Sequence, residues 1–178
     1  MISALRRLGG NYVFDTNFGA DLAIMEEASE LLYRMDNKKE LLPQFTSACP
    51  SWVEFTEIFF PELIPHLSTG KSPSSMLSPM IKTYFAKRMH IDPSNLVIVS
   101  VTPCTAKKAE IFRPEQNAAG RYWQHPDMRD TDYAITTREL ATWIKEKKID
   151  FDPLENAAYD TVFGESSGGG DLFGNSAD

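Results

Sequence analysis

The chain has 178 residues, 42% hydrophobic and 24% charged, which fits one globular domain of about 100–200 residues and excludes a disordered or collagen-like chain. Its 25 acidic and 18 basic residues give a net charge of −7, and no basic patch of the kind that binds nucleic acid is visible. We expect neither a membrane span nor a secretory leader, because no apolar run approaches about 18 residues and no charged segment followed by an apolar one opens the chain.

The first half of the chain alternates between strand and helix patterns. In order, the predicted elements are a strand at 12–14, a helix at 17–35, a loop at 36–39, a strand at 44–46 and a helix at 52–60. The long helix carries an apolar stripe formed by Leu22, Met25, Leu32 and Met35. Pro50 stands where the second helix can begin, and Pro61 stops it.

The second half continues this alternation. Its predicted elements are a helical segment at 72–89, a strand at 95–101, a strand at 133–136 and a helix at 138–147. Pro79 lies inside the first of these and should kink or delay the helix. The run at 95–101 is almost continuously apolar, which is typical of a parallel strand covered on both faces. Thr137 is expected to cap the last helix, whose packing residues are Leu140, Trp143 and Ile144.

This order of elements predicts an α/β domain with a mainly parallel sheet, in which ligands bind beyond the carboxyl ends of the strands. Both cysteines lie there, since Cys49 follows the strand at 44–46 and Cys104 follows the strand at 95–101. A thiol near helix N-terminal amides has a lowered pKa, and its thiolate binds iron or zinc. The alternative is two small buried apolar side chains. Two cysteines are too few for a disulfide scaffold, so we expect a cytoplasmic protein with reduced thiols.

The residues around the cysteines form two longer motifs. They read Thr46-Ser47-x-Cys49-Pro50-x-Trp52 and Pro103-Cys104-x-x-Lys107-x-x-Glu110. Both motifs resemble signatures of the iron-only (FeFe) hydrogenases, in the same order and with a fitting separation. The flanking segments at 14–22, 61–73 and 163–168 also resemble that family, so the resemblance covers almost the whole chain.

The resemblance implies a fold, a cofactor and a reaction. The fold would be one lobe of the two-lobed hydrogenase domain, an α/β lobe with a mainly parallel sheet flanked by helices, over residues 1–178. The cofactor, the H-cluster, would be a 4Fe-4S cubane bridged by a cysteine to a two-iron subsite with carbonyl, cyanide and azadithiolate ligands. The reaction would combine two protons and two electrons into dihydrogen, reversibly. The partners would be a ferredoxin-like or internal iron–sulfur electron donor and the maturation proteins of the subsite, with no nucleic acid and no membrane.

The resemblance also implies roles for individual residues. Cys49 and Cys104 match two of the four cubane ligands, and Lys107 matches the lysine that donates a hydrogen bond to a subsite cyanide. Pro73 and Pro103 match residues that line the two-iron pocket. The relay that carries protons in from solvent is matched by Glu30, Ser68 and Glu110.

Three positions depart from the pattern of active family members. Ala48 stands where a cysteine delivers the proton to the two-iron site, and a methyl group cannot donate or accept a proton. Thr102 replaces a methionine before Pro103, and Ser74 replaces a glutamine after Pro73, which changes the contacts around the subsite. These changes resemble the sensory branch of the family. We therefore expect a hydrogen- or redox-sensing variant with low turnover.

The third family signature, with the last two cysteines, and the second lobe are missing from the sequence. Two thiolates do not complete a cubane, so we expect a fragment that has no activity alone and self-associates through the apolar face left by the absent lobe. A glycine-rich loop is expected at 164–170. The alternatives are an iron–sulfur assembly or scaffold protein of the same fold, against which Lys107 and the segment 71–73 argue, and a metal-free fragment.

Overall fold

Residues 1–176 are described by the computed structural model, with side chains as far as residue 172. They form an α/β structure, as predicted, with a small parallel sheet flanked by helices. The helices are α1 (Ile2–Arg7), α2 (Asn17–Asn37), α3 (Pro50–Phe59), α4 (Pro73–Met80), α5 (Ala86–Arg88), α6 (Lys107–Glu110), α7 (Ala118–Trp123), α8 (Thr137–Glu146) and α9 (Gly168–Ser176). Three 3₁₀ turns lie at Lys39–Leu41, Pro61–His66 and Pro93–Asn95. None of the helices within these residues is long and apolar enough to cross a bilayer.

The sheet consists of β1 (Val99–Thr102) and β2 (Tyr133–Thr136), which pair in parallel from Val99↔Tyr133 to Thr102↔Thr136. The predicted strand at 133–136 is confirmed, whereas the strand predicted at 95–101 begins later, at Val99. The expectation that both of its faces are covered is wrong, because Val97 and Val99 are 65% and 45% exposed. These side chains line a face that the described residues leave open.

Two predicted strands do not form as such. Residues 12–14 form no strand, because Val13 bonds through its amide to the side chain of Asp160 and through its carbonyl to the amide of Asp160. The segment at 44–46 makes one parallel bridge, between Phe45 and Leu67. A strand needs repeated ladder bonds, and here a side chain and a single bridge replace them.

Helix α2 confirms the long predicted helix and runs to Asn37, two residues into the predicted loop at 36–39. The apolar stripe expected on this helix does not face the core, because Met25, Leu32 and Met35 are 68%, 63% and 47% exposed. The buried face instead carries the small residues Gly19, Ala20 and Ala23. A Cβ at Gly19 would lie 2.2 Å from the carbonyl oxygen of Pro73, so this face is small because α4 passes against it.

Helix α3 confirms the predicted helix after Pro50. The disturbance expected at Pro79 takes the form of a π-helical turn over Ile81–Phe85, which joins α4 to α5. Proline has no amide hydrogen to donate, and the hydroxyl of Thr83 bonds back to the Pro79 carbonyl at 2.7 Å. Ile81 and Phe85 form a buried cluster with Leu77.

Part of the predicted glycine-rich loop at 164–170 is helical, since α9 begins at Gly168. The carboxylate of Asp21 accepts hydrogen bonds from the amide and hydroxyl of Ser167, which fixes the chain just before α9. Gly170 is buried, and a Cβ there would lie 2.6 Å from the carbonyl oxygen of Asn17. The glycines therefore allow α9 to pack closely against the start of α2.

Helix α8 packs against the sheet and is capped one residue earlier than predicted. Leu140 and Ile144 are buried as expected, whereas Trp143 is 39% exposed. The cap is Thr136, not Thr137, because the Thr136 hydroxyl accepts from the amide of Glu139 at 3.1 Å. The Glu139 carboxylate in turn accepts from the amide of Thr136 at 2.8 Å, which completes a capping box.

We expect Thr136→Ala to lower the free energy of unfolding by about 1 kcal/mol, because one N-terminal amide of α8 loses its acceptor. Urea denaturation followed by circular dichroism measures this loss. Thr137→Ala is the matched control, since Thr137 is exposed, and should change stability by less than about 0.5 kcal/mol. Equal effects of the two variants would contradict the assignment of the cap.

Candidate functional site

The two cysteines lie in loops that lead into helices. Cys49 immediately precedes α3, has an extended backbone and is exposed. Cys104 lies between the carboxyl end of β1 and α6 and is half-buried. Neither cysteine forms a disulfide. Both thiols therefore lie where the sequence places them, beyond a strand end or bridge and before a helix.

Lys107 joins the two cysteine loops. Its ammonium group donates to the carbonyl oxygen of Ala48 at 2.9 Å, and it lies 3.1 Å from Oε2 of Glu110. Glu110 is 5% exposed, and its Oε2 receives no hydrogen bond of acceptable geometry within the described residues, so the ion pair is its compensation. The lysine thus fixes the position of the Ala48–Cys49 backbone relative to the Cys104 loop.

Glu30 and Ser68 are in direct contact. The Ser68 hydroxyl donates to Oε2 of Glu30 at 2.7 Å, and the amide of Thr69 donates to the same oxygen at 2.9 Å. The other carboxylate oxygen accepts from Arg34 at 2.7 Å. Burial raises the pKa of Glu30, but the hydrogen bonds from Ser68, Arg34 and Thr69 outweigh it and hold the pKa below its ordinary value.

This lowered pKa makes part of the stability depend on pH. The contribution of Glu30 is present above the unfolded-state pKa of about 4.3 and is lost as the pH falls through the lower folded-state value. We expect Glu30→Gln to be less stable than the parent chain at pH 7, with a difference that shrinks below about pH 4. Urea denaturation between pH 7 and pH 3 measures the difference. The control is Glu26→Gln, an exposed carboxylate one turn earlier on α2, and a pH-independent deficit for Glu30→Gln would contradict the prediction.

Glu110 does not join the contact between Glu30 and Ser68. No hydrogen bond among the described residues joins Glu110 to Ser68 or Glu30, and its charge is paired with Lys107 instead. The structure therefore brings together two of the three relay residues expected from the sequence. It places the third beside the second cysteine loop.

Glu27 is a site residue that the sequence pattern did not single out. Its Oε1 accepts from the hydroxyl of Thr46 at 2.8 Å and from the amide of Ser47 at 3.3 Å. Glu27 lies three residues before Glu30, which places both carboxylates on one side of α2. That spacing was visible in the sequence, but it also fits a solvated acidic face.

Arg34 is the second missed residue, and it is 4% exposed. Besides Glu30, its guanidinium donates to the carbonyl oxygens of Leu41, Pro65, His66 and Leu67. The position four residues after Glu30 was a signal for this ion pair. The bonds hold the segment that carries Ser68 against α2.

The residues expected to line the two-iron pocket lie at two helix starts. Pro73 is the first residue of α4, and the hydroxyls of Ser72 and Ser74 lie 3.5 Å apart. On the other side, Pro103 is exposed, and the hydroxyl of Thr102 accepts from the amide of Cys104 at 3.4 Å. A methionine has no hydroxyl and its thioether is only a weak acceptor, so Thr102 supports the Cys104 loop by a bond that a methionine would make less well.

Lys71 fixes the segment that precedes Pro73 and the start of α4. Its ammonium group bonds to Oδ2 of Asp130 at 3.1 Å and to the carbonyl of Glu115 at 2.8 Å. Asp130 is 1% exposed and also accepts from the amides of Ala118 and Ala119 at the start of α7. A buried carboxylate with three donors is fully compensated, so this contact holds the segment before Pro73 firmly.

Among the described residues, no group of three or more His, Cys, Asp or Glu side chains could hold a metal ion. The sequence contains only the two cysteines, and a 4Fe-4S cluster takes four thiolates. The two cysteine thiolates fit the chemistry of such a cluster but supply only half of its ligands. Two further ligands are therefore needed to complete a cluster at this site.

Comparison with known proteins gives one consistent result. The family model described as "Iron only hydrogenase large subunit, C-terminal domain" matches residues 1–177. The chain is 47% identical over 175 residues to the periplasmic Fe hydrogenase large subunit of Nitratidesulfovibrio vulgaris, covering 98% of this chain and 40% of that protein. It is 46% identical over 172 residues to iron hydrogenase 1 of Clostridium pasteurianum, covering 97% of this chain and 29% of that protein.

A solved structure and a second class of relative extend this result. The apo FeFe-hydrogenase HydA1 from Chlamydomonas reinhardtii, in a variant form, superposes with a TM-score of 0.81 at 44% identity, covering 93% of this chain and 40% of that one. The cytosolic iron-sulfur assembly component 3 of Bos taurus is 32% identical over 166 residues, covering 91% of this chain and 34% of that protein. The chain thus spans less than half the length of these relatives.

Proposed function

The chain belongs to the iron-only hydrogenase family, matching the C-terminal domain of its large subunits, and from that premise we propose that it serves a low-turnover, hydrogen- or redox-sensing member of the family. It is part of an iron hydrogenase domain. The observation that carries the sensing proposal is Ala48, half-buried beside Cys49, with its carbonyl held by Lys107. A positioned proton donor is absent from the side chain at this position, while Glu30 and Ser68 remain hydrogen-bonded.

In this proposal Cys49 and Cys104 are two thiolate ligands of the 4Fe-4S part of the H-cluster. The cluster, when bound, supplies the redox chemistry that interconverts protons and dihydrogen, with electrons from a ferredoxin-like or internal iron–sulfur donor and a subsite inserted by maturation proteins. Lys107 offers a compact positive charge at the subsite. The walls of its pocket are formed by Pro73, Ser74, Thr102 and Pro103.

The proposed proton relay uses the carboxylate of Glu30 and the hydroxyl of Ser68. A proton can pass between Ser68 and Glu30, since Oγ of Ser68 donates to Oε2 of Glu30 at 2.7 Å. The hydroxyl gives its proton to Oε2 as Oγ takes up another, so the hydroxyl carries one proton before and after the step. We assign Glu27 to the same relay, because its carboxylate contacts the loop that carries Ala48. Glu110 acts on the proton-handling site indirectly in this proposal, by holding Lys107 in place.

The second candidate is an iron–sulfur assembly protein of the same fold. It is favoured by the 32% identity to the bovine assembly component. The 46–47% identity to hydrogenases favours the first candidate, and so do Lys107 and the segment 71–73, which serve the two-iron subsite in the first proposal. A cytoplasmic location remains a prediction from the free thiols, since one hydrogenase relative is named periplasmic.

The sensing proposal predicts a separation between binding and turnover. In protein loaded with the complete cofactor, we expect dihydrogen to change the infrared bands of the carbonyl and cyanide ligands, while hydrogen evolution from reduced methyl viologen stays about 10²–10⁴-fold slower than in a cysteine-bearing hydrogenase. Both measurements use the same sample and the same iron content. Infrared bands that do not change when dihydrogen is added would refute sensing. Hydrogen evolution as fast as in a cysteine-bearing hydrogenase would refute low turnover.

A further inference from the structure

Three consecutive residues just before β2 each contact the region around α4. The contacts are Asp130 with Lys71 at 3.1 Å, Thr131 with Ser78 at 2.7 Å and Asp132 with Lys82 at 2.8 Å. The outer two contacts are ion pairs, whereas the middle one is a hydrogen bond between two hydroxyls. Together they hold the stretch from residue 71 to residue 82 at three points, one before α4, one within it and one in the π-helical turn after it.

The middle contact belongs to a chain of two hydrogen bonds that ends on the backbone of α4. Thr131 and Ser78 are 4% and 3% exposed, so water does not compete for their hydroxyls. The Ser78 hydroxyl accepts from Thr131 and donates to the carbonyl oxygen of Ser74 at 2.9 Å. A hydroxyl that accepts and donates at once is polarised, which strengthens both bonds. The chain therefore couples the position of Thr131 to the peptide of Ser74.

Helix α4 is short, and its own sequence removes one of its backbone bonds. It has eight residues, and Pro79 within it has no amide hydrogen to donate to the carbonyl four residues earlier. A helix of this length depends on contacts outside itself for its stability. The bond from the Ser78 hydroxyl to Ser74 spans the turn next to the missing backbone bond, so the hydroxyl chain supports α4 at that point.

The segment that supports α4 is also attached to the sheet. Oδ2 of Asp132 accepts from the amide of Ile98 at 2.7 Å, directly before β1, and the next residue begins β2. The carboxyl end of β1 carries Thr102, and Pro103 follows it. In the pocket proposed for the two-iron subsite, these two residues form one wall and Ser74 belongs to the other. A shift of α4 on the supporting segment therefore changes the separation of the two walls.

We propose that Thr131 is a positioning residue, which acts through Ser78 on the peptide of Ser74 and so sets the separation of the two pocket walls. The inference rests on the proposed function for the identity of the cofactor, and on the two hydrogen bonds for the route from Thr131 to Ser74. The flanking ion pairs fix where the segment lies, and the hydroxyl pair fixes α4 upon it. Without the Thr131 hydroxyl, the buried hydroxyl of Ser78 lacks its donor, and the first turns of α4 are held less firmly.

The first test measures amide hydrogen exchange in the chain alone, by mass spectrometry of peptides that cover residues 72–80. Thr131→Val removes the hydroxyl but nearly keeps the shape, and we expect it to make exchange there about fivefold faster, as the loss of one hydrogen bond does. Thr131→Ser keeps the hydroxyl and should restore slow exchange. Equal acceleration in peptides from α4 and from α8 would show only a general loss of stability and would overturn the proposal.

Thr142→Val is the matched control for this test. Its hydroxyl donates to the carbonyl oxygen of Arg138 at 3.1 Å within α8, so the variant removes a bond from hydroxyl to helix backbone of the same kind as that from Ser78 to Ser74. We expect exchange in residues 72–80 to stay unchanged. Acceleration there equal to that in Thr131→Val would also overturn the proposal.

The second test loads the same variants with the complete cofactor and records the infrared bands of its carbonyl and cyanide ligands without dihydrogen. We expect Thr131→Val and Ser78→Ala to shift these bands, whereas Thr131→Ser should match the parent chain. The double variant, Thr131→Val with Ser78→Ala, should regain part of the lost stability, because no buried hydroxyl is left without a partner, but its bands should stay shifted. A purely structural contact would affect stability and leave the bands in place.

Failure of this inference is distinguishable from failure of the proposed function. Bands that shift in Thr131→Val but do not respond to dihydrogen in the parent chain would refute sensing alone. Bands that respond to dihydrogen but do not shift in Thr131→Val would refute the positioning role alone.

Discussion

Replacing Ala48 with cysteine is expected to raise the rate of hydrogen evolution by about 10²–10⁴-fold, the usual contribution of a positioned proton donor. Ala48 is adjacent to Cys49, and Lys107 holds its carbonyl oxygen at 2.9 Å, so the backbone is already fixed. Glu27 contacts the same loop through Thr46 and Ser47. A cysteine side chain at position 48 therefore requires no rearrangement of the loop backbone.

The measurement compares the two forms after loading with the complete cofactor, with rates expressed per bound iron. Ala48→Ser is the matched control, because its hydroxyl has nearly the size of a thiol but is a far weaker acid, and we expect it to give a smaller gain. If cysteine and alanine gave equal rates at equal iron content, proton delivery at this position would not limit turnover, and the explanation of low turnover would fail.

The local pattern predicted most helices because a helix is held by bonds within a short segment. Helices α2, α3 and α8 begin within two residues of the predicted starts. The error on α2 concerned which side is buried. Its large apolar residues suggested a core face, but the close approach of Pro73 to Gly19 demands small residues there. Such a contact joins distant segments, so periodicity within α2 cannot contain it.

In the candidate site, too, features set by local sequence were predicted and features set by contacts between distant segments were not. Its thiols and Lys107 lie in two local motifs, and the resemblance selected them, together with the pocket residues, without knowledge of the fold. The relay depends on which side chains meet across the chain. Glu30 meets Ser68, whereas Glu110 meets Lys107. Glu27 and Arg34 were missed because charged residues on a helix are usually solvated, and only tertiary structure buries Arg34.

Arg34→Leu is expected to lower the free energy of unfolding by about 3–5 kcal/mol, because it breaks a buried ion pair and leaves Glu30 without its counter-charge and Oε1 of Glu30 without a donor. Arg34 is 4% exposed, and its guanidinium donates to Glu30 and to four carbonyl oxygens between Leu41 and Leu67. Leucine fills part of the space but donates no hydrogen bond. The segment around Ser68 then loses its attachment to α2, and the contact between Ser68 and Glu30 should loosen with it.

Urea denaturation at pH 7 measures this loss, and Arg88→Leu is the matched control. Arg88 is exposed and donates only to the Tyr84 hydroxyl and the Val162 carbonyl among the described residues, so its removal should cost less than about 1 kcal/mol. The double variant Arg34→Leu with Glu30→Gln should lose less than the sum of the single losses, because the unpaired charge is removed along with its partner. Additive losses would mean that Arg34 stabilises the carbonyl segment alone, and that Glu30 is held in the relay by Ser68 and Thr69 without it.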